Sequence, residues 1–192
     1  AGIVIAPIGG LIVGLLLTGL IITIFANRKP APVNKTFGRL QIISSAWFAL
    51  THGANDGQKT MGIIALILFS SGMIPELDIP VWVIFAAAAA MGLGTFFGGY
   101  KVIKTLGVKI TKLKPYQGFA AETGGGIMLA AFAVLGIPAS TTHAITGTIM
   151  GSGAARRKRA VRWKVSRQII FSWIITIPGA AGLGIGFTYL IH

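Results

Sequence analysis

Five long apolar stretches dominate the chain, and short polar or basic segments separate them. About 20 consecutive apolar residues span the hydrocarbon core of a bilayer as a helix. Glycine and alanine are frequent in these stretches, which favours closely packed helices over a barrel. The pattern therefore predicts an all-α, polytopic membrane protein. Its predicted spans are residues 3–26, 40–72, 80–99, 118–153 and 168–191.

The second stretch, 40–72, is too long for one straight crossing. As a single helix it would measure about 50 Å, whereas the hydrocarbon core is about 30 Å thick. Residues 51–61 interrupt it with the sequence Thr-His-Gly-Ala-Asn-Asp-Gly-Gln-Lys-Thr-Met. We therefore predict a break near Gly53–Gly57, with a new helix beginning at Asn55 and Asp56. The Pro-Ala-Pro segment upstream, residues 30–32, is predicted to be a loop.

The stretch 118–153 is predicted to form a re-entrant hairpin, because basic segments flank it at both ends. Its first arm, 118–135, is about 27 Å long, and its second arm, 143–153, is about 16 Å long. Ser140 and Thr141 lie in the turn between the arms and are favoured N-cap residues. The second arm should therefore begin there, with its free N–H groups facing the middle of the bilayer.

The charge distribution predicts an orientation in the cell membrane. The formal net charge is +13, yet only 11% of the residues are charged. All basic residues except Lys59 lie in three clusters, at 27–39, 101–114 and 156–167. Short cytoplasmic loops are enriched in Lys and Arg, so these clusters are predicted to be cytoplasmic and the acidic loop 73–79 external. The charge thus reflects membrane topology, and no nucleic-acid partner is expected.

Three formally charged side chains fall within the predicted spans, namely those of Asp56, Lys59 and Glu122. Charged groups are costly in hydrocarbon and commonly mark ion or substrate pathways. Glu122 has no basic residue within seven positions along the chain. Asp56 and Lys59 are three residues apart, so a purely structural ion pair is an alternative for them.

Other polar or small residues also have structural alternatives. His52 and His143 are interpreted equally well as packing residues. The hydroxyls of 140–142 are suited to satisfying backbone groups at the Pro138 turn. Gly124–Gly126 is typical of helix packing and lacks the lysine spacing of a phosphate-binding P-loop.

The polar stretch 52–62 resembles the signature of the inorganic phosphate transporter (PiT) family, in the form that its bacterial low-affinity members carry. Gly118-Phe-Ala-Ala-Glu122 and the turn 136–144 are similar to two further family patterns in the same order, and the segment 151–157 fits the basic loop that follows. The resemblance implies a phosphate symporter built from two inverted repeats, each with a broken helix at a shared site. It further implies that this chain is the C-terminal half, that the N-terminal half completes the site, and that the transporter is a homodimer.

The resemblance and the polar pattern together predict the site residues. Substrate binding is predicted for Asn55, Asp56, Lys59, Thr60, Ser140, Thr141 and Thr142. Cation or proton coupling is predicted for Asp56, Gln58, Glu122 and His143. We expect no cofactor beyond the co-transported ion, which is H⁺ by preference, with Na⁺ or a divalent metal bound to phosphate as alternatives.

Lys59 departs from the family pattern, because many members have an asparagine at this position. An ammonium group has three hydrogen-bond donors and no acceptor, so it cannot ligate a cation. We hypothesise that Lys59 stands in for a bound cation, paired with Asp56 or with phosphate, which would shift coupling from Na⁺ toward protons.

Two other functions are alternatives to phosphate transport. A permease for sulfate or another oxyanion would use the same scaffold. An intramembrane enzyme would use His52 with Asp56, or His143, but neither paired His spacing nor any Cys suggests a zinc site.

Overall fold

The computed structural model describes residues 2–137 and 139–191, which are helical outside the short connections. In this part of the chain the α-helices are α1 (Gly2–Ile24), α2 (Pro30–Ser70), α3 (Val81–Lys104), α4 (Pro115–Val134), α5 (Thr141–Arg156) and α6 (Trp163–Ile191). A π-helical segment, Thr105–Ile110, follows α3, and a 3-10 turn, Lys158–Ala160, precedes α6. The predicted all-α fold is confirmed.

Three helices of the described residues are long and apolar enough to cross a bilayer, namely Gly2–Ile24, Val81–Tyr100 and Trp163–Leu190. They correspond to the first, third and fifth predicted spans. Most of the apolar side chains of α3 and α6 are exposed. These two helices therefore lie at the periphery, while α1, α2, α4 and α5 form the packed centre.

The closest helix packing joins α1 to α5 through glycines on both helices. A Cβ atom at Gly10 or Gly14 would collide with backbone atoms of Ala144 or Thr148. On the α5 side, Gly147 meets the backbone of Pro7 in the same way. Small residues four apart let helix backbones approach within membranes, so this pairing is built for close contact.

The predicted break in the second stretch is wrong, because α2 runs without interruption from Pro30 to Ser70. The charged residues of this stretch do not need a break, since Asp56 and Lys59 lie on one face of α2 and find side-chain and backbone partners there. The Pro-Ala-Pro segment is also not a loop. Pro30 begins the helix, where a missing N–H costs nothing and the fixed φ is already helical.

The length of α2 exceeds the bilayer core, as its 41 residues measure about 60 Å. Lys35 and Arg39 are exposed in its first turns. We therefore expect the beginning of α2 to extend beyond the hydrocarbon rather than to fold back.

Two helices, α4 and α5, lie where the two arms of the hairpin were predicted, and α5 is longer than predicted and spans Thr141–Arg156. That the hairpin is re-entrant in the membrane stays a prediction. The N–H of His143 bonds to Ser140 Oγ at 3.4 Å, which confirms the predicted N-cap. Gly136 adopts a φ of 63° after α4, a conformation that glycine adopts without strain. Pro138, on which part of the turn prediction rested, lies outside the described residues.

The glycine run of α4 serves packing. Built Cβ atoms at Gly124, Gly125 and Gly126 would meet the side chains of Val13, Phe48 and Trp47, respectively. These contacts hold α4 between α1 and α2. The helix-packing interpretation of 124–126 is therefore confirmed.

Candidate functional site

The carboxylate of Asp56 lies at the centre of a polar cluster. Its Oδ1 atom accepts a hydrogen bond from Lys59 Nζ at 3.1 Å. Its Oδ2 atom accepts one from Thr141 Oγ1 at 2.8 Å and lies 3.1 Å from His52 Nε2. Spacings of three and four residues place His52, Asp56 and Lys59 on one face of α2. The cluster thus joins that face to the first turn of α5.

Lys59 makes a second link between α2 and the hairpin. Its ammonium group donates a hydrogen bond to the carbonyl oxygen of Ala139 at 2.6 Å. Ala139 is buried and directly precedes the N-cap Ser140. The Lys59 side chain is 40% exposed and lies between a carboxylate oxygen and a backbone oxygen. Both are ligand types that hard cations prefer.

The first turn of α5 faces this cluster with groups that favour negative charge. A helix N-terminus carries unpaired N–H groups and the positive end of the helix dipole. Thr141 is buried and donates to Asp56, whereas Thr142 is exposed. An anion at this position is therefore stabilised by the helix, and the carboxylate of Asp56 already benefits from it.

Glu122 forms a second polar cluster with two α2 residues that the sequence did not single out. Ser44 Oγ donates to Glu122 Oε2 at 2.6 Å, and Gln41 Nε2 donates to Oε1 at 3.3 Å. Ser44 is buried, while Gln41 and Glu122 are partly buried. No basic side chain among those that the structure describes forms an ion pair with Glu122. The described donors to its carboxylate, Ser44 and Gln41, are both neutral.

A cleft of about 730 Å³ is lined by residues of both clusters, namely His52 and Thr141 of the first and Glu122 of the second. Asp56 and Lys59 are not among its lining residues. Glycines of α3 also line the cleft: Gly94, Gly98 and Gly99. The structure therefore brings Glu122 and the hydroxyl-bearing turn to one common space, although they are far apart in sequence.

Four of the predicted site residues lie outside this arrangement. Asn55 is buried on α2, with 6% of its surface exposed. Gln58 and Thr60 are exposed, and Thr60 Oγ1 bonds to the backbone of its own helix at Asp56 O. The ring of His143 packs against Trp173 of α6, with 3.9 Å between ring centroids. Their roles in binding or coupling stay predictions.

The sequence contained a signal for the missed residues. Gln41, Ser44, His52, Asp56 and Lys59 recur at spacings that one helical face accommodates. This periodicity indicates an unbroken helix with a polar stripe, whereas the cost of polar groups in hydrocarbon favours a break. No sequence pattern predicts the contact of Lys59 with the carbonyl oxygen of Ala139, because every residue carries a backbone carbonyl.

Comparisons with known proteins place the chain in a family. The model of the Phosphate transporter family matches residues 1–184. A probable low-affinity inorganic phosphate transporter from Rhizobium meliloti (strain 1021) is 51% identical over 180 residues, which are 93% of this chain and 54% of that protein. A protein of the same description from Bacillus subtilis (strain 168) is 40% identical over 183 residues, covering 95% of this chain and 55% of the relative.

One solved structure is also similar to the chain. It is titled "The sodium-dependent phosphate transporter" and matches with a TM-score of 0.68 and 26% identity. The match covers 92% of this chain and 53% of that one. This chain therefore spans about half the length of the proteins it matches. The matched proteins are transporters rather than enzymes, and with the three apolar helices they assign the chain to a membrane.

Proposed function

Because this chain belongs to the phosphate transporter family, we propose that it forms the C-terminal half of a secondary active transporter that carries inorganic phosphate together with a cation. The observation that carries the proposal is the cluster at Asp56, where charged residues of α2 meet the start of α5. The coverage of about half of each relative supports a second half of the same protein. If that second half is an inverted repeat of this one, it would bring an equivalent polar cluster to a shared site.

Phosphate would bind at the first turn of α5. The N–H groups and the dipole of this helix favour an anion, and Ser140, Thr141 and Thr142 add hydroxyl groups. In the present arrangement Thr141 donates to Asp56. An incoming phosphate would take over that donor, which links substrate binding to the state of the Asp56 carboxylate.

The charge of the site supports co-transport of a cation. Asp56, Lys59 and Glu122 sum to −1 when all are ionised, and phosphate adds further negative charge. The dipole of one helix offsets only about half an elementary charge. The missing positive charge would come from a proton, from Na⁺ or from a divalent metal bound to the phosphate. Asp56 and Glu122 are the carboxylates that would bind this cation.

Lys59 favours the proton among these cations. Its ammonium group lies between Asp56 Oδ1 and the carbonyl of Ala139, in contact with two oxygens that a hard cation would use. The ammonium group occupies those oxygens and repels a second cation, which disfavours Na⁺ there. The similar solved structure is described as a sodium-dependent phosphate transporter, which supports Na⁺ as the coupling ion of that protein only.

Replacing Lys59 with asparagine is expected to shift the coupling ion. The substitution removes the ammonium group and introduces a neutral oxygen that can ligate Na⁺. Proton-driven phosphate uptake should fall about tenfold or more, since a hydrogen bond to a charged group contributes roughly 1.5–3 kcal/mol. Uptake driven by a Na⁺ gradient should appear or increase. Lys59→Arg keeps the charge and should keep the proton preference; unaltered proton-driven uptake in Lys59→Asn would disprove the hypothesis.

Removing the hydroxyl of Ser44 is expected to impair transport through Glu122. Ser44→Ala deletes the 2.6 Å hydrogen bond to the carboxylate and should lower phosphate uptake about tenfold. Ser45→Ala is the matched control, because the Ser45 hydroxyl is exposed and bonds only to the backbone of its own helix. Equal uptake by the two variants would show that Glu122 does not depend on Ser44.

The proposal as a whole is tested by uptake of radiolabelled phosphate into proteoliposomes that contain the complete transporter. A proton gradient and a Na⁺ gradient would be imposed in separate experiments, with unlabelled sulfate as competitor. Uptake driven by either gradient and unaffected by sulfate is the expected result. Inhibition by sulfate at concentrations similar to those of phosphate would favour the broader oxyanion permease, and absence of gradient-driven uptake would contradict symport.

The orientation is part of the same proposal. The positive-inside rule supports a cytoplasmic position for the basic segments 27–39, 101–114 and 156–167. Cysteine labelling of these segments from either side of intact vesicles would test it.

A further inference from the structure

Two basic segments that are distant in sequence meet in the fold. The backbone N–H of Arg162 donates to the carbonyl of Ile110 at 2.8 Å. Ile110 and Val161 are both buried in one apolar cluster, which also includes Met150 of α5. A Cβ built on Gly153 would contact both Thr111 and Val161. The segments 104–114 and 156–167 are therefore packed together, and we call them the basic platform.

The platform presents many cations and no acidic residue. Its exposed basic side chains are those of Lys104, Lys109, Lys112, Arg156, Arg157, Arg159, Arg162, Lys164 and Arg167. Neither segment contains Asp or Glu. Among the side chains that the structure describes, the ion pairs are those of Asp56 with His52 and Lys59. The ion pairs that the structure describes thus give these cations no acidic partner.

The platform lies at the ends of two apolar helices. α3 ends at Lys104, and α6 begins at Trp163, inside the second basic segment. Both helices are long and apolar enough to cross a bilayer. We therefore expect the platform to lie at the depth of the phospholipid headgroups, and a tryptophan at the start of a span is typical of that interface.

We propose that the basic platform is a binding surface for the headgroups of anionic phospholipids in the leaflet that it faces. Clusters of four to eight Lys and Arg next to a membrane span attract anionic lipids. The platform differs from a flexible basic loop because its backbone is held by the Ile110–Arg162 hydrogen bond and by the buried Val161. Fixed cations bind a headgroup at a lower entropic cost than mobile ones.

The test compares two sets of substitutions that remove the same charge. In the platform variant, Lys109, Lys112, Arg157 and Arg159 are replaced by glutamine. In the control variant, Arg28, Lys29, Lys35 and Arg39 are replaced by glutamine; these are equally exposed and lie outside the platform. The complete transporter is incubated with phosphatidylglycerol and phosphatidylethanolamine in detergent, and the lipids that it retains are counted by native mass spectrometry.

We expect the parent and the control variant to retain phosphatidylglycerol in preference to phosphatidylethanolamine. The platform variant should bind phosphatidylglycerol about tenfold more weakly. A charge-preserving variant, with Lys and Arg exchanged at the same four positions, should bind as the parent does. If the platform variant does not remain monodisperse, the pair Lys109→Gln and Arg159→Gln is used instead, and an intermediate loss is expected.

Several outcomes would overturn the proposal. An equal loss in the control variant would mean that total charge, and not the platform, attracts the lipid. Displacement of phosphatidylglycerol by millimolar inorganic phosphate, beyond that caused by sodium chloride of equal ionic strength, would assign the surface to free phosphate. Because the measurement is lipid binding, its outcome is separate from any result on phosphate uptake.

Discussion

Asp56→Asn is expected to reduce phosphate uptake by about a hundredfold or more. The carboxylate accepts from Lys59 and Thr141 and lies beside His52, so its charge holds three groups in place. Hydrogen bonds to a charged group contribute roughly 1.5–3 kcal/mol each, and more than one is weakened here. An amide of the same shape keeps the volume but loses the charge that would receive a proton or metal cation. The measurement is gradient-driven uptake of radiolabelled phosphate by the complete transporter.

Asp78→Asn is the matched control for this substitution. It makes the same chemical change in the exposed connection between α2 and α3, where Asp78 Oδ1 accepts from the N–H of Ile79 at 2.7 Å. Its uptake should stay within about twofold of the parent, since surface substitutions away from special features have small effects. Comparable uptake by both variants would show that transport does not require the Asp56 carboxylate.

Gly14→Ala is expected to destabilise the protein strongly, even though the substitution adds only one methyl group. That carbon would collide with the backbone of Thr148, so α1 and α5 must separate along their glycine contact. Forcing extra volume into a packed interface typically costs about 1–3 kcal/mol, and a rigid backbone neighbour favours the upper end. The free energy of unfolding in detergent, followed by loss of helical signal, should fall by about 2 kcal/mol or more.

Gly19→Ala provides the control on the same helix. A Cβ at Gly19 has no atom within 4 Å among the described residues. Alanine also favours a helix interior over glycine by roughly 0.5–1 kcal/mol, so this variant should be as stable as the parent or slightly more so. A similar loss of stability in both variants would show that the α1–α5 contact does not cause the destabilisation by Gly14→Ala.

The elements predicted correctly are those that short-range physics determines. Apolar length predicted α1, α3 and α6, because transfer of a helix into hydrocarbon depends on its own residues. The hairpin and its N-cap at Ser140 were predicted for a similar reason, since capping requires only a hydroxyl and an N–H three residues away. The family resemblance and the polar pattern together predicted Asp56, Lys59 and Thr141 as site residues, and the structure brings Lys59 and Thr141 into contact with Asp56.

The break predicted in α2 was wrong because it treated the polar residues as unpartnered. Asp56 and Lys59 satisfy each other and reach Thr141 and Ala139 on the hairpin, so the helix keeps its backbone hydrogen bonds. A broken helix would have left backbone groups to be satisfied elsewhere, which is costly in hydrocarbon. The partners lie about 80 residues away along the chain, beyond the range of any local pattern.

The sequence by itself determined that this protein is a helical membrane protein with charged groups at depth, because hydrophobicity and charge belong to individual residues. Only the tertiary structure decided which of those groups meet. The contact of Ser44 and Gln41 with Glu122, the cleft shared by Glu122 and the start of α5, and the joining of two basic segments into one platform all depend on helix packing. That packing is set by backbone approach at glycines such as Gly14 and Gly147, whose partners no local sequence pattern specifies.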